Sequence, residues 1–531
     1  MYLYWFHPGV TPLIVVASAV SSSDRQSEVE NVIRFILYGS IISVENIDPS
    51  LTVLQYLREQ LYRSGTKEGC AEGDCGACTV VVGELVDGRI SLKSVNACIQ
   101  FVAMLQGKVL FTVESLKAGQ GKTLHPVQQA MVDSHGSQCG FCTSGFVMSL
   151  FALFKTTVNP DRQQITDALS GNLCRCTGYR PIIDAALKMH NIDNKQQGWI
   201  NRPALIKPQP VDDYEQRVIY LLEKIRPQHS LYLNHSGKNY YAPLTLNELA
   251  QLRQDKPQAT LVAGNTDVGL WVNKQLRELP DVISLVMVDE LKTIRSSASD
   301  ITIGAAVSLS EAFQALVIYY PELTDLFRRF ASKPVCNAGT LVGNVANGSP
   351  IGDSMPILLA LQAVLILRKG SVQRELSLDK FYQGYQQKDL KPGEFIEAIR
   401  IPININNYKL ASYKVSKRYD QDISAVCAAF VMALDESAKV AHVRIAYGGM
   451  AAIPARAKQT ERILCGRQWD EQVLTEAREQ LAQDFFPLSD VRATSSYRQK
   501  IAQNLLTRFY LETKAQQSPG IFQLRDLDVV S

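Results

Sequence analysis

The spacing of apolar positions changes several times along the chain, and each change marks a new element. From Val32 to Val44 (VIRFILYGSIISV) short apolar runs flank Gly39 and predict a hairpin. Asp48-Pro49-Ser50 then introduces a helix over about Leu51 to Tyr62, with Leu54, Leu57 and Leu61 on one face. Strands over Thr79–Leu85 and Arg89–Lys93 meet at an Asp87-Gly88 turn, so a β-grasp unit with one long Gly-rich loop is expected up to about Leu116. From His125 to Met189 the pattern is helical. Pro126 suits the first turn of a helix to about Ser134, Gly145–Lys155 is strongly apolar, and Ile165–Leu169 and Ile182–Met189 complete a four-helix unit.

Residues 191–235 are polar and interrupted by Pro203, Pro208, Pro210 and Pro227, which reads as a linker. Between Tyr241 and about Pro402, strand candidates alternate with helices: Ala259–Ala263, Val282–Val288, Ile301–Val307, Ala363–Arg368 and Phe395–Ile401. Strand patterns return over Ala411–Leu434 and Val440–Gly448, and a mixed helical stretch from Asp470 to Thr513 closes the fold. The sum is an α+β multidomain protein without internal repeats. Its 531 residues exceed what one core supports and suggest three or four domains.

Composition adds mainly exclusions. A net charge of +3 gives no reason to expect nucleic acid or an acidic membrane as partner. No apolar run reaches the ~18 residues of a bilayer span. Thr11 to Val20 is a short apolar stretch whose Ala17-Ser18-Ala19 imitates a signal-peptide cleavage site, but nothing basic precedes it. Residues 1–31 therefore read as a disordered extension, or as a start placed too far upstream.

The candidate chemistry lies in the cysteines. Eight of eleven fall within residues 70–176, in two sets. Cys70, Cys75, Cys78 and Cys98 have the C-x4-C-x2-C…C spacing of plant-type [2Fe–2S] ferredoxins. Gly69, Gly73 and Gly76, interleaved among them, allow a loop that turns its N–H groups inward. The bland alternative is zinc, since CxxC is also a zinc spacing. The second set pairs Cys139 and Cys142 with Cys174 and Cys176, and a C-x-C pair is unusual for a redox dithiol or a zinc ribbon. Clustered cysteines in a large chain fit a reducing compartment, so the protein is expected to be cytoplasmic. Cys336, Cys427 and Cys465 read as buried structural thiols.

QCGFCTSG with GNLCRCTGYRPI resembles the helical [2Fe–2S] domain of the xanthine dehydrogenase and aldehyde oxidase family of molybdenum hydroxylases. GCAEGDCGACTV resembles the ferredoxin-like domain of the same family. The resemblance implies that Gln138, just before Cys139, hydrogen-bonds the pterin of a molybdenum cofactor; otherwise it is an ordinary exposed glutamine. Ser144 stands where the family usually has proline.

Two Gly-rich strings, LVAGNTDV and AGTLVGN, fall in the α/β region. Neither is GxGxxG, so a Rossmann site is not indicated, yet such turns can aim backbone N–H groups at a pyrophosphate. In this order they resemble the family's FAD domain, of the vanillyl-alcohol-oxidase/PCMH type. By matching position, the resemblance makes Leu261, Val262, Ala263, Gly264, Asn265, Thr266, Asp267, Val268, Phe330, Gly339, Thr340, Leu341, Val342, Gly343, Asn344, Asp353, Ile396 and Lys414 contacts of FAD. In this reading the first segment lines the pyrophosphate and flavin. Lys417 to Asp422 resembles the segment near which NAD+ lies in the dehydrogenases; as a charge run it reads equally as a solvated loop.

The implied domains are a ferredoxin-like unit (32–116), a helical cluster unit (117–190), a linker (191–235), an FAD unit (236–405) and a C-terminal subdomain similar to that of CO dehydrogenase flavoproteins (406–520). This order resembles the small iron–sulfur/FAD subunits of two-subunit xanthine dehydrogenases. It implies a separate molybdopterin-binding large subunit as partner, NAD+ as acceptor and a dimer of heterodimers. Acid–base chemistry on the substrate would then belong to the partner. A subunit serving aldehyde or N-heterocycle oxidation, and a zinc-containing scaffold or redox sensor, are the alternatives.

Overall fold

The computed structural model describes residues 29–116, 124–192, 198–204, 211–403 and 408–515. Most of the expected extension lies outside the described residues; Glu30 forms a parallel bridge to Leu231.

The first unit is a five-stranded sheet in the spatial order Ser40–Val44, Ile33–Leu37, Val109–Phe111, Thr79–Val86, Arg89–Asn96. Only the Ile33–Leu37 to Val109–Phe111 pairing is parallel, as a β-grasp requires. The expected helix from Leu51 begins later and is only briefly α-helical. Thr52 and Gln55 form a capping box over Val53–Gln55, and the chain then widens into a π-helical turn over Tyr56–Gln60. Leu54 and Leu57 are buried.

Four helices, Pro126–Asp133, Thr143–Thr156, Arg162–Leu169 and Arg180–Lys188, form the second unit. Their core joins that of the first sheet through Phe111, which packs on Phe151 and Trp199. His125 is fully buried at the start of the first of these helices. Its Nδ1 accepts from the Val127 N–H at 3.1 Å and its Nε2 lies 2.8 Å from the Ile200 carbonyl, which requires a neutral ring protonated on Nε2. Burial between Phe151 and Phe154 lowers its pKa to about 4. An unfolded histidine binds its proton near pH 6.5, so the folded state loses stability as the pH falls from about 6.5 to about 4, by about 3 kcal/mol. His125→Asn, which keeps a good N-cap, should flatten the melting temperature against pH across that window.

The expected linker is not featureless. Residues 213–224 form a helix, N-capped by Asp212, whose Val218 and Leu222 pack into the core shared with the first two units. Glu215, 4% exposed, accepts from Arg89 at 3.0 Å. The prolines bracket this helix instead of breaking it, which is why their count misled the reading. The strand Leu231–His235, also inside the expected linker, opens a four-stranded sheet with Lys238–Ala242, Asp281–Ser284 and Thr260–Val262.

A second five-stranded sheet, wholly antiparallel, runs Ile294–Ser296, Asp300–Gly304, Phe395–Pro402, Val364–Lys369, Val372–Ser377. The C-terminal subdomain is an antiparallel sheet of Tyr408–Val415, Val426–Leu434, Val440–Gly448 and Ala455–Arg456, backed by the helices Lys458–Leu464, Glu471–Asp484 and Ser495–Ala515. Residues 426–431 are all buried because the middle strand is covered on both faces. Cys427 and Cys336 are buried as expected, whereas Cys465 is exposed because it caps the end of the helix Lys458–Leu464.

Candidate functional site: two cysteine loops and a cofactor cavity

In the first loop the thiol of Cys70 accepts three backbone N–H groups, from Cys75 and Asp74 at 3.3 Å and Glu72 at 3.5 Å. The Cys75 sulfur in turn accepts the Cys70 N–H at 3.3 Å. The Cys98 thiol lies near those of Cys70 and Cys78, and Cys70 near Cys75, so the four cysteines interact pairwise. Contact with Cys98 holds Cys78 below the usual thiol range despite its burial. A loop that directs amides at sulfur favours thiolates, the form in which cysteine binds iron. Gly69 is required here, because a Cβ would lie 2.8 Å from the Cys75 sulfur.

The second set sits at helix ends. Cys142 is the N-cap residue of Thr143–Thr156, and Cys174 and Cys176 lead into Arg180–Lys188. The sulfurs of Cys139 and Cys176 lie 3.6 Å apart, and the Cys142 thiol, pushed up to about 12 by burial and by Cys174, faces the other pair. Cys139 and Cys176 are exposed, with Phe141, Leu173 and Tyr179 exposed beside them. Gln138 is exposed next to Cys139. Within each set the sulfurs approach one another in pairs; among the described residues no three or more His, Cys, Asp or Glu side chains close on a single-ion position. The donor set, all sulfur with amide support, fits iron–sulfur clusters.

The two loops meet directly. The Leu173 N–H, one residue before Cys174, donates to the Cys75 carbonyl at 3.0 Å, and Asn172 Nδ2 donates to the Gly76 carbonyl at 3.2 Å.

The third feature is a cavity of about 520 Å3 between the two sheets of the α/β region and the C-terminal subdomain. Its lining includes Leu261 to Val268, Phe330, Gly339, Thr340, Val342, Gly343, Asn344, Asp353, Ile396 and Lys414. The two Gly-rich strings thus form one wall: a Cβ on Gly264 would lie 2.1 Å from the Ala338 carbonyl oxygen and 2.5 Å from Gly339 Cα. Leu341 is different. It is fully buried in the hydrophobic core beneath the wall and does not line the cavity, because the helix Leu341–Asn347 turns that side chain inward. Lys414 and Asp353 form a buried ion pair at 2.5 Å, and Ser424 donates to the other Asp353 oxygen at 2.5 Å.

Other lining residues escaped the sequence reading. Gln421, Asp422 and Ile423 reach the cavity from the end of the charged segment 417–422, whereas Lys417 to Asp420 do not line it. Trp271 and Lys388 also line it. Trp271 follows Asp267 by one helical turn, and its indole opposes the rise in pKa that burial imposes on the Asp267 carboxyl, a spacing that could have flagged it. Lys388 comes from a two-residue strand that no pattern announces. The cavity lies in the size range of cofactor sites and mixes apolar walls with a few fixed polar groups, which suits a flavin.

Two sulfur-ligand loops joined to a cofactor cavity define an iron–sulfur flavoprotein. The family comparisons specify which. Residues 35–102 match the 2Fe-2S iron-sulfur cluster binding domain and residues 112–187 the [2Fe-2S] binding domain. Residues 234–404 match the FAD binding domain in molybdopterin dehydrogenase, and residues 411–513 the CO dehydrogenase flavoprotein C-terminal domain. A xanthine dehydrogenase of Drosophila subobscura is 33% identical over 92% of this chain and 39% of its own length. Aldehyde oxidase 4 of Cavia porcellus is 30% identical over 90% of this chain and 39% of its own length. A chain of Cu,Mo-CO dehydrogenase in its cyanide-inactivated form is 25% identical, with a TM-score of 0.49, over 52% of this chain and 97% of that one. The chain is an iron–sulfur flavoprotein built from the cluster and flavin domains found in molybdenum hydroxylases, with two [2Fe–2S] clusters and FAD as its cofactors. It spans about 39% of the length of these curated relatives.

Proposed function

We propose that the chain is the electron-transfer subunit of an NAD+-dependent xanthine dehydrogenase, working with a separate molybdopterin-binding subunit. One observation carries the reading: the second cysteine set, the first set and the cavity lie in series, each joined to the next by hydrogen bonds between neighbouring segments. Cys139 and Cys176 open the series at the surface, where the exposed Phe141, Leu173 and Tyr179 offer an apolar rim for a docking partner. Gln138, exposed at the same rim, would meet the partner's pterin. Leu173 links this set to Cys75 through a single hydrogen bond, and Ile99 and Gln100, which follow Cys98, hydrogen-bond Asn265 and Gly264 of the cavity wall.

FAD, when bound, accepts electrons singly and releases them as a pair, which matches one-electron clusters to a hydride acceptor such as NAD+. The residues of this chain bind, orient and insulate; acid–base work on a purine falls to the partner. The assembly would be a cytoplasmic dimer of heterodimers. A subunit for aldehyde oxidation is the second reading, favoured by the 30% identity to the aldehyde oxidase.

Anaerobically purified protein is expected to contain two irons and two acid-labile sulfides per cysteine set, with one FAD. Alone it should oxidise NADH with artificial acceptors and leave xanthine untouched. Zinc in place of iron, or xanthine hydroxylation without a partner, would refute the assignment. Co-purification with a subunit that hydroxylates aldehydes but not purines would move it to the second reading.

A further inference from the structure

Asn265 has two ends that answer to different neighbours. Its backbone is left-handed, with φ 60°, and its side chain is 3% exposed. Nδ2 donates to the Ile99 carbonyl at 2.7 Å, one residue past the cluster ligand Cys98. Oδ1 is buried without a hydrogen-bond partner, although the residue lines the cofactor cavity. A buried amide oxygen left unpaired is costly, so this one implies a donor supplied from the cavity.

The surroundings hold that geometry. Gln100 Nε2 donates to the Gly264 carbonyl at 2.9 Å. Asn273 Nδ2 donates to the Cys98 carbonyl at 2.5 Å and reaches the Ala71 carbonyl at 3.5 Å. A Cβ on Gly269 would lie 2.8 Å from the Ile99 carbonyl oxygen, so glycine permits this approach. Three successive residues, Cys98 to Gln100, are therefore clamped by the segment 264–273, which begins at the cavity and ends on a cluster ligand.

We propose that Asn265 bridges the first cluster and the flavin, with its donor end on the peptide beside Cys98 and its acceptor end on a hydroxyl or N–H of the cofactor. This rests on the electron-transfer reading above. The ligand atom must be a donor, so the pyrophosphate is excluded, and the bridge requires that donor to be a ribityl hydroxyl or the isoalloxazine N–H and not a group of the adenosine half. Each transfer oxidises the reduced cluster by one electron and reduces the flavin by one. Two transfers, with protons taken from water, complete the reduction of the flavin. Asn273 is a positioning residue that holds Cys98 against the seam.

The test uses the full chain with its clusters and saturating FAD. Photoreduced deazariboflavin injects electrons, and the cluster and flavin absorbance bands report their redistribution. Asn265→Gly keeps the left-handed backbone and removes both ends. Cluster-to-flavin transfer should slow by about tenfold, and FAD should bind about fivefold more weakly. The paramagnetic resonance signals of the first cluster should stay as in the parent protein. Asn265→Asp retains an acceptor and loses the donor, so FAD affinity should recover more than the rate. Transfer within twofold of the parent in Asn265→Gly, or full recovery of the rate in Asn265→Asp, would overturn the bridge. Absence of iron or flavin from the parent protein would instead overturn the electron-transfer reading itself.

Discussion

Lys414→Met is expected to cost about 3–5 kcal/mol, because it leaves Asp353 as an uncompensated buried charge. The Lys414 and Asp353 side chains are 2% and 8% exposed, and their 2.5 Å contact ties the strand Tyr408–Val415 to the cavity floor. Ser424 and the Cys427 thiol complete the shell around Asp353, at 2.5 Å and 3.7 Å, but neither carries a charge to replace the ammonium. The melting transition of the flavin region should fall by roughly 10 °C, and FAD should be lost on gel filtration. The double variant Lys414→Met/Asp353→Leu separates the two effects. Removing both charges should restore most of the stability, since an apolar pair of similar volume tolerates burial. FAD retention should not return with it if the pair also contacts the cofactor. A single variant that melts with the parent protein would show that water reaches the pair.

Gly76→Ala is expected to disrupt the junction of the two cysteine loops. Gly76 has φ 71°, and its Cβ would lie 2.1 Å from the Gly171 carbonyl oxygen and 2.5 Å from Asn172 Nδ2. The left-handed backbone alone costs about 1–2 kcal/mol for alanine. The clash adds to this, since the obstructing carbonyl is backbone and cannot rotate away. Relief requires the segment 171–173 to retreat, which breaks the Leu173–Cys75 and Asn172–Gly76 hydrogen bonds. Iron content should fall toward half, with the first cluster's paramagnetic signal lost preferentially and transfer between the clusters slowed. Gly88→Ala is the control: its φ is 73°, but nothing lies within 4 Å of the added Cβ. It should show the backbone cost and keep its iron. Equal iron loss in both variants would assign the effect to backbone strain and not to the junction.

Much of the architecture follows from local pattern. The Gly39 hairpin, the paired strands around Asp87-Gly88 and the helices beginning near Pro126 and Thr143 are set by short-range alternation, turn residues and caps, which act within a few positions. The cysteine sets are equally local, because ligand spacing is written along the chain. The helix Asp213–Lys224 was missed for the opposite reason. Its apolar face is only Val218 and Leu222 with flanking half-buried positions, a signal weaker than the prolines around it. What stabilises it is packing on the first two units and the Glu215–Arg89 pair.

The cavity marks the boundary between the two kinds of information. Sequence alone determined which residues can hold iron and which glycines can form a tight wall, since both depend on side-chain chemistry and backbone freedom. Tertiary structure alone decided that Leu341 faces the core, that Lys388 and Trp271 join the lining, and that Asn265 spans from the wall to the turn that carries Cys98. Those outcomes depend on contacts between segments up to about 170 residues apart. No local pattern encodes them, because the energy of such contacts exists only once the separate sheets have packed.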